Sequence, residues 1–342
     1  MKLGVLTVGS DAPGLNAVIR AVVRTALTRY QADVFGISQG FLGLLRPPEF
    51  WPLSPADVIG LARRGGTILG CNRSSPFDVD GEDRSEEILE TIRWLGIDGL
   101  IVIGGEGSLV IAERLTQMGV KVVCIPKTIE NDLPGTSVTF GYATAVELAT
   151  SAIDNLQTTS ESVYRVMVLE VAGQRAGWIA LTSGMAGGAD VVLIPEIEWE
   201  PERVRDVILE RRSQGKRSTI VVVAEGAVEK DAAPSSTGAA QALATRVGGL
   251  LPDVEFLVTI LGHLQRGGDP NSHDRVLATR VGSTAVRAAC EGNFGQMITI
   301  NGEETSSVPL ADVINTHRRV AQDAELVWTA SSLGICLGNG LG

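Results

Sequence analysis

The chain has 342 residues, of which 44% are apolar and 20% charged, the mix of a folded globule and not of a disordered segment; at roughly 150 residues per domain it should hold two domains. Its net charge of −11, with no basic tract, argues against a general nucleic-acid binder or a membrane-surface protein. Aromatics make up only 4%, so Val, Ile, Leu and Ala must supply the core, as they do in buried parallel strands.

Short aliphatic runs predict strands over residues 3–8, 100–103, 122–125, 166–171, 191–194, 220–223, 257–261 and 297–300. Between them, helical spacing predicts helices over 15–29, 86–95, 109–118, 146–156, 203–212 and 275–289. Ser54-Pro55-Ala56-Asp57 has the cap, first-turn proline and following carboxylate of one more helix start. Strand and helix alternate from end to end, which implies right-handed βαβ units and doubly wound parallel sheets. Residues 231–238 read as a surface loop. No apolar run approaches the ~18 residues of a membrane span. Met1-Lys2-Leu3-Gly4-Val5 enters a core strand at once, so no signal peptide and a cytoplasmic location are expected. Cys71, Cys124, Cys290 and Cys336 have no CxxC spacing and no nearby His. Reduced thiols are expected, not disulfides or a zinc site.

Ligands of such folds sit at the carboxyl ends of strands, and four strand ends carry unusual loops. Gly9-Ser10-Asp11-Ala12-Pro13-Gly14 runs from the first strand into a helix, whose free N–H groups suit a phosphate. A tight turn that needs glycine is the competing reading; no Walker loop is present. Gly104-Gly105-Glu106-Gly107-Ser108 again suggests phosphate binding, and a carboxylate there needs a cation between it and the anion, so Glu106 reads as a Mg²⁺ ligand. Pro126-Lys127-Thr128-Ile129-Glu130-Asn131-Asp132 is dense in polar groups. One carboxylate suits proton abstraction from a substrate hydroxyl and the other a metal ion. Gly262-His263-Leu264-Gln265-Arg266-Gly267-Gly268 offers His and a forked Arg donor to a sugar phosphate.

Together, and in this order, these loops resemble the phosphofructokinase family, in particular its bacterial-type chains and their mixed-substrate branch. Gly-Gly-Glu-Gly-Ser alone also resembles other kinases. The segments at 126–132, 12–20 (APGLNAVIR), 64–70 (RGGTILG), 186–196 (AGGADVVLIPE) and 262–268 make the resemblance specific. It covers residues from about 2 to about 323.

The resemblance implies two similar α/β lobes with parallel-rich sheets and the active site in the cleft between them. Residues 1–140 and 265–303 would form the nucleotide lobe, and 141–264 with 304–330 the sugar-phosphate lobe. It implies a homotetramer or dimer, alone or with a paralogous subunit, in which a neighbour completes the sugar-phosphate pocket. The reaction would move the γ-phosphoryl group of MgATP to the 1-hydroxyl of fructose 6-phosphate. By the same resemblance, Gly9 and Ser10 would meet the terminal phosphates, and Arg73, with Ser74 beside it, would bridge donor and acceptor phosphoryl groups. Gly105, Gly107 and Ser108 would line the nucleotide site, with Glu106 on the magnesium. Thr128 and Glu130 would meet the accepting hydroxyl, Glu130 as the base, and Asp132 would orient water or metal. Ala172, Gly173, Gln174, Glu225, His263 and Arg266 would hold the sugar and its phosphate, and Arg165 would reach a neighbour's 6-phosphate.

Five positions depart from the family pattern. Glu130 stands where Asp is usual, Ala172-Gly173-Gln174 replaces Met-Gly-Arg, Leu257 replaces a second cross-subunit Arg, Val163 replaces a His, and Ser10 replaces a glycine. They raise the alternative of a catalytically poor regulatory or binding paralogue. One extra methylene displaces a fixed carboxylate by about a bond length, which predicts that Glu130→Asp raises kcat unless Ala172 and Gln174 have opened room for the longer side chain. Pyrophosphate-dependent relatives carry Asp where this chain has Gly107, which favours ATP here; Lys127 is compatible with either donor. Arg20, Arg24, Lys216 and Arg217 are effector-site candidates, but Asn155 and Gln157 stand where arginines are common.

Overall fold

A computed structural model describes residues 1–216, 218–231 and 237–339. In chain order the main elements are β1 (Lys2–Thr7), α1 (Leu15–Thr25), β2 (Asp33–Ile37), β3 (Phe50–Pro52), α2 (Ser85–Leu95), β4 (Gly99–Gly104), α3 (Glu106–Gln117), β5 (Val122–Pro126), α4 (Tyr142–Val163), β6 (Val166–Val171), α5 (Trp178–Ala186), β7 (Val191–Leu193), α6 (Pro201–Ser213), β8 (Thr219–Ala224), α7 (Ala239–Leu250), β9 (Phe256–Ile260), α8 (Ser272–Cys290), β10 (Gln296–Asn301), β11 (Glu304–Pro309) and α9 (Glu325–Ser332). The eight expected strands are present to within about two residues at each end, and α/β is the observed class.

The chain forms two compact units. The first comprises residues 1–129, 133–143 and 266–316, and the second 130–132, 144–265 and the chain from 317 onward. The first holds a seven-stranded sheet in the order β11-β10-β5-β4-β1-β2-β3. Its five inner strands are parallel, and β3 and β11 close the edges antiparallel. The second holds a wholly parallel sheet, β7-β8-β6-β9. β4, β5, β6 and β8 are buried at every position. Helices cover both faces of such strands, so they read as continuous aliphatic runs without alternation.

Several expectations shift. Residues 304–316 belong with the first unit and not the second, because β11 pairs with β10 over six residues. The helix expected over 15–29 ends at Thr25 and continues as a π-type turn, Ala26–Tyr30. At Ser54 no α-helix follows. The carboxylate of Asp57 accepts from the Ser54 N–H at 2.7 Å and its hydroxyl at 2.6 Å, but Ile59 faces solvent at 78% exposure. The turn has too little apolar face to propagate, and only a 3₁₀ segment, Leu61–Arg63, forms. Sequence patterning missed β2, β3, β11, α5, α7 and α9: β11 is a polar edge strand, and α5 carries apolar residues on all sides. Arg217 and residues 232–236 of the expected surface loop lie outside the described residues. The four cysteines are free thiols, and among the described residues no helix is long and apolar enough to cross a membrane.

Candidate active site

In the first unit, three strand ends come together. β1 stops at Thr7, and the chain crosses to the segment after residue 70 through Val8 and Asn72. The Asn72 carbonyl accepts from the Gly9 N–H at 2.9 Å, and the Asn72 side chain accepts from the Ser74 N–H at 2.7 Å. One asparagine thus fixes both the first loop and the Arg73–Ser74 backbone. Buried Asn16, on α1, holds the preceding 64–68 segment: it donates to the carbonyls of Arg64 and Gly65 and accepts from the Ile68 N–H. Gly9 is left-handed at φ 89, and a Cβ there would lie 3.4 Å from Lys127 Nζ and 3.7 Å from Ser108 Oγ. The left-handed backbone therefore favours glycine, while the space would admit a Cβ in ordinary contact.

Lys127 is buried at the end of β5. Its ammonium donates to the Ser10 carbonyl, while Arg73 donates to the Ser10 hydroxyl. Ser10, a departure from the family pattern, thus grips two cations at once. Burial pushes the Lys127 amine down to about 8; Arg266 and Arg73 push the same way, and Cys71 and Asp11 oppose them. α3 begins at Glu106, directly after extended Gly105, so its N-terminal end opens beside this cluster. A Cβ at Gly105 would lie 3.3 Å from the Lys127 carbonyl, whereas at Gly107 it would meet nothing within 4 Å. A helix N-terminus, buried Lys127 and exposed Arg73 together present chemistry that suits an anion with several oxygens.

In the second unit, the loop after β6 is stitched by three carbonyl-type acceptors. Buried Gln265 accepts from the Ala172 N–H at 2.7 Å, and Glu225 accepts from the Gly173 N–H at 3.4 Å. The Glu130 carboxylate accepts from the Gln174 N–H at 3.1 Å. Gly173 lies at φ 146, where a Cβ would sit 2.7 Å from the Ala176 carbonyl, so this turn demands glycine.

The phosphofructokinase family profile matches residues 2–289. The chain belongs to the phosphofructokinase family. It is 46% identical over 359 residues to an ATP-dependent 6-phosphofructokinase of Chloroflexus aurantiacus, covering 99% of this chain and 98% of that one. It is also 46% identical over 329 residues to a pyrophosphate–fructose 6-phosphate 1-phosphotransferase of Amycolatopsis methanolica, covering 91% of this chain and 94% of the relative. Among solved structures, the phosphofructokinase of Saccharomyces cerevisiae superposes with a TM-score of 0.81 at 33% identity, over 91% of this chain; the match spans 45% of the yeast chain.

Within this phosphofructokinase fold, Gly9, Ser10, Arg73, Ser74, Gly105, Glu106, Gly107, Ser108, Thr128 and Arg266 lie in the first unit, and Glu130, Asp132, Arg165, Ala172, Gly173, Gln174, Glu225 and His263 in the second. The heptapeptide at 126–132 is therefore divided between the units after Ile129. Arg165 stands apart from its expected companions. It precedes β6, whereas Ala172 follows it, roughly 20 Å away along six extended residues. Its guanidinium pairs with Glu255 at 2.7 Å, half-exposed. Leu257 lies at that same end of the sheet, beside Met167. His263 is exposed in the 3₁₀ turn Gly262–Arg266 after β9. Among the described residues, no three His, Cys, Asp or Glu side chains gather into a metal cage. Lys127, Asn72 and Gln265 were missed as site residues, although each lies in or beside a motif. The two cations on Ser10 had no signal in the sequence.

Proposed function

We propose that this phosphofructokinase-family chain transfers the γ-phosphoryl group of MgATP to the 1-hydroxyl of fructose 6-phosphate. The open space over Gly107, next to the Gly9–Ser10–Lys127 cluster, carries the choice of donor. A nucleoside triphosphate needs room beyond its two terminal phosphates, and nothing within 4 Å would block a group there. The N–H groups that open α3 bind the phosphates, and Lys127 and Arg73 neutralise charge that grows on them during transfer. Magnesium would be held by the carboxylate of Glu106, with Asp132 orienting water or metal. Hard carboxylate oxygens without a full protein cage suit an ion that keeps waters and substrate phosphates in its shell. When bound, it supplies neutralisation of the phosphate charge.

Glu130 takes the proton of the accepting hydroxyl, with Thr128 beside that hydroxyl. The Gln174 N–H holds one carboxylate oxygen and so fixes the orientation of the base. This supports a working glutamate over a relaxed paralogue, because the longer side chain has found a partner. Glu225, His263 and Arg266 hold the sugar phosphate. A homotetramer, in which Arg165 serves a neighbour's pocket, is supported by two features. Arg165 lies at the far end of β6 from the Ala172 loop, and β9 is an edge strand with Ile260 and Leu264 exposed at 52% and 67%. Pyrophosphate is the second reading for the donor, favoured by Lys127 and by the equal identity to the Amycolatopsis methanolica relative. Coupled assays with each donor decide: turnover with MgATP and at most a few per cent of it with pyrophosphate is expected. The reverse ratio would overturn the ATP reading, and thermal stabilisation by both substrates without turnover would favour the binding paralogue.

A further inference from the structure

We propose that Arg318 is a positioning residue for catalysis, holding the Glu130 loop in place from the C-terminal segment of the second unit. The inference rests on the reading of Glu130 as the base. Asn131, the next residue, is buried and left-handed at φ 55, a conformation that asparagine tolerates better than most residues but that still gains from being held by its surroundings. Arg318 is part of that hold. Its Nη1 donates to the Asn131 carbonyl at 3.1 Å, and its backbone N–H donates to the Asp132 carbonyl at 2.7 Å. Two successive carbonyls after the base are thus held by one residue 187 positions further along the chain.

Arg318 is itself fixed from both sides. Its guanidinium lies 4.1 Å from the Trp178 ring centroid, and its carbonyl accepts from the Trp178 indole N–H at 3.1 Å. Glu196 ties the same two segments again, accepting from the Gly177 N–H at 3.1 Å and the Val320 N–H at 2.8 Å. Trp178 opens α5, four residues after Gln174, whose N–H holds the Glu130 carboxylate. A closed circuit results: carboxylate to Gln174, chain to Trp178, Trp178 to Arg318, Arg318 to the backbone of residues 131–132, and back to Glu130. The base is gripped at its tip and at its root. Loosening the root shifts the carboxylate, and a shift of ~1 Å can cost about 100-fold in rate without touching a substrate contact.

The test is steady-state kinetics of the full-length enzyme. Arg318→Ala should lower kcat by about tenfold or more, with KM for MgATP and fructose 6-phosphate changed less than about threefold. Arg318→Lys, which keeps a donor for the Asn131 carbonyl, should recover part of the loss. Trp178→Phe, which keeps the ring and removes the N–H, should give a smaller fall in kcat and serves as the test if Arg318→Ala does not fold. In a Glu130→Gln background, Arg318→Ala should cost nothing further, because it acts through that carboxylate. Full kcat in both Arg318→Ala and Trp178→Phe, or equal losses with and without Glu130, would overturn the inference while leaving the base intact. Full activity of Glu130→Gln would overturn the base reading itself, and the inference with it.

Discussion

The Gly9–Ser10–Lys127 cluster of the first unit and the Glu130 loop of the second are built on different principles. The cluster is made of strand ends that meet, with a helix N-terminus, one left-handed glycine turn and a buried lysine whose contacts lie within a few residues of a motif. The Glu130 loop has no strand of its own after β5. It is held by side-chain and backbone groups that arrive from residues 174 and 318. Substitutions should therefore separate the two regions by kind as well as by size.

The sharpest way to break the comparison is to fill the open space at the cluster. Gly107→Asp adds a carboxylate where no atom lies within 4 Å, so the fold should tolerate it, but charge and volume would oppose the phosphate nearest the nucleoside. A like charge at ~4 Å and an effective dielectric of about 20 opposes binding by up to ~4 kcal/mol before screening, so kcat/KM for MgATP should fall by about 100-fold or more, with Tm unchanged. Unchanged ATP kinetics would mean that the nucleotide lies elsewhere.

The second largest effect belongs to the loop. Glu130→Asp removes the methylene that lets the carboxylate meet the Gln174 N–H at 3.1 Å. Family resemblance alone would have the shorter residue restore activity; the observed contact reverses the sign. A displacement of this order predicts a kcat lower by up to about 100-fold with little change in either KM. A faster enzyme would show that the pocket still fits aspartate, and that the Gln174 contact holds the side chain away from its task.

How much of each region was legible follows from the same contrast. The glycines and Glu106 stand out because each lies in a short motif at a strand end, and a parallel sheet brings consecutive β–α turns together in space, so motif spacing marked the candidate donor site. Arg318 had no such signal: it sits in an irregular segment, 187 positions from the carbonyl it serves, and only the fold joins them. Arg165 is illegible from local pattern for a related reason. Family position gave its role, yet β6 separates it from Ala172 within one chain, and no local pattern reports which copy a side chain serves. The turn at Ser54 was misread because a capping pattern specifies how a helix begins and not whether it has a face to bury.

A smaller effect is expected at the far end of the second sheet. Leu257 is half-buried on β9 beside Met167, at the end where Arg165 lies. Leu257→Arg restores a cation to that edge, and a charge-assisted contact to phosphate contributes about 1.5–3 kcal/mol. The KM for fructose 6-phosphate should fall about tenfold. No change would mean that this end of the sheet does not meet the sugar phosphate in any copy of the chain.

The smallest effect is a proton, and it tests whether the cluster is as electrostatic as it looks. Burial lowers the Lys127 amine from its ordinary 10.5 to about 8. Between those two values the folded chain holds fewer protons at this site than the unfolded chain, so this group makes stability rise with pH across the window and contributes no slope well below 8. Bound phosphate reverses the balance, because nearby negative charge favours the ammonium. At pH 9 the free enzyme should hold Lys127 mostly neutral, and MgATP binding should take up close to one proton; at pH 7 it should take up almost none there. Calorimetry in buffers of different ionisation enthalpy reads this number directly, and Lys127→Met should abolish the difference between the two pH values. Equal uptake by parent and variant at pH 9 would place the amine away from the phosphates. Lys127 would then serve only to hold the Ser10 carbonyl, and the donor site would rest on its backbone N–H groups and Arg73.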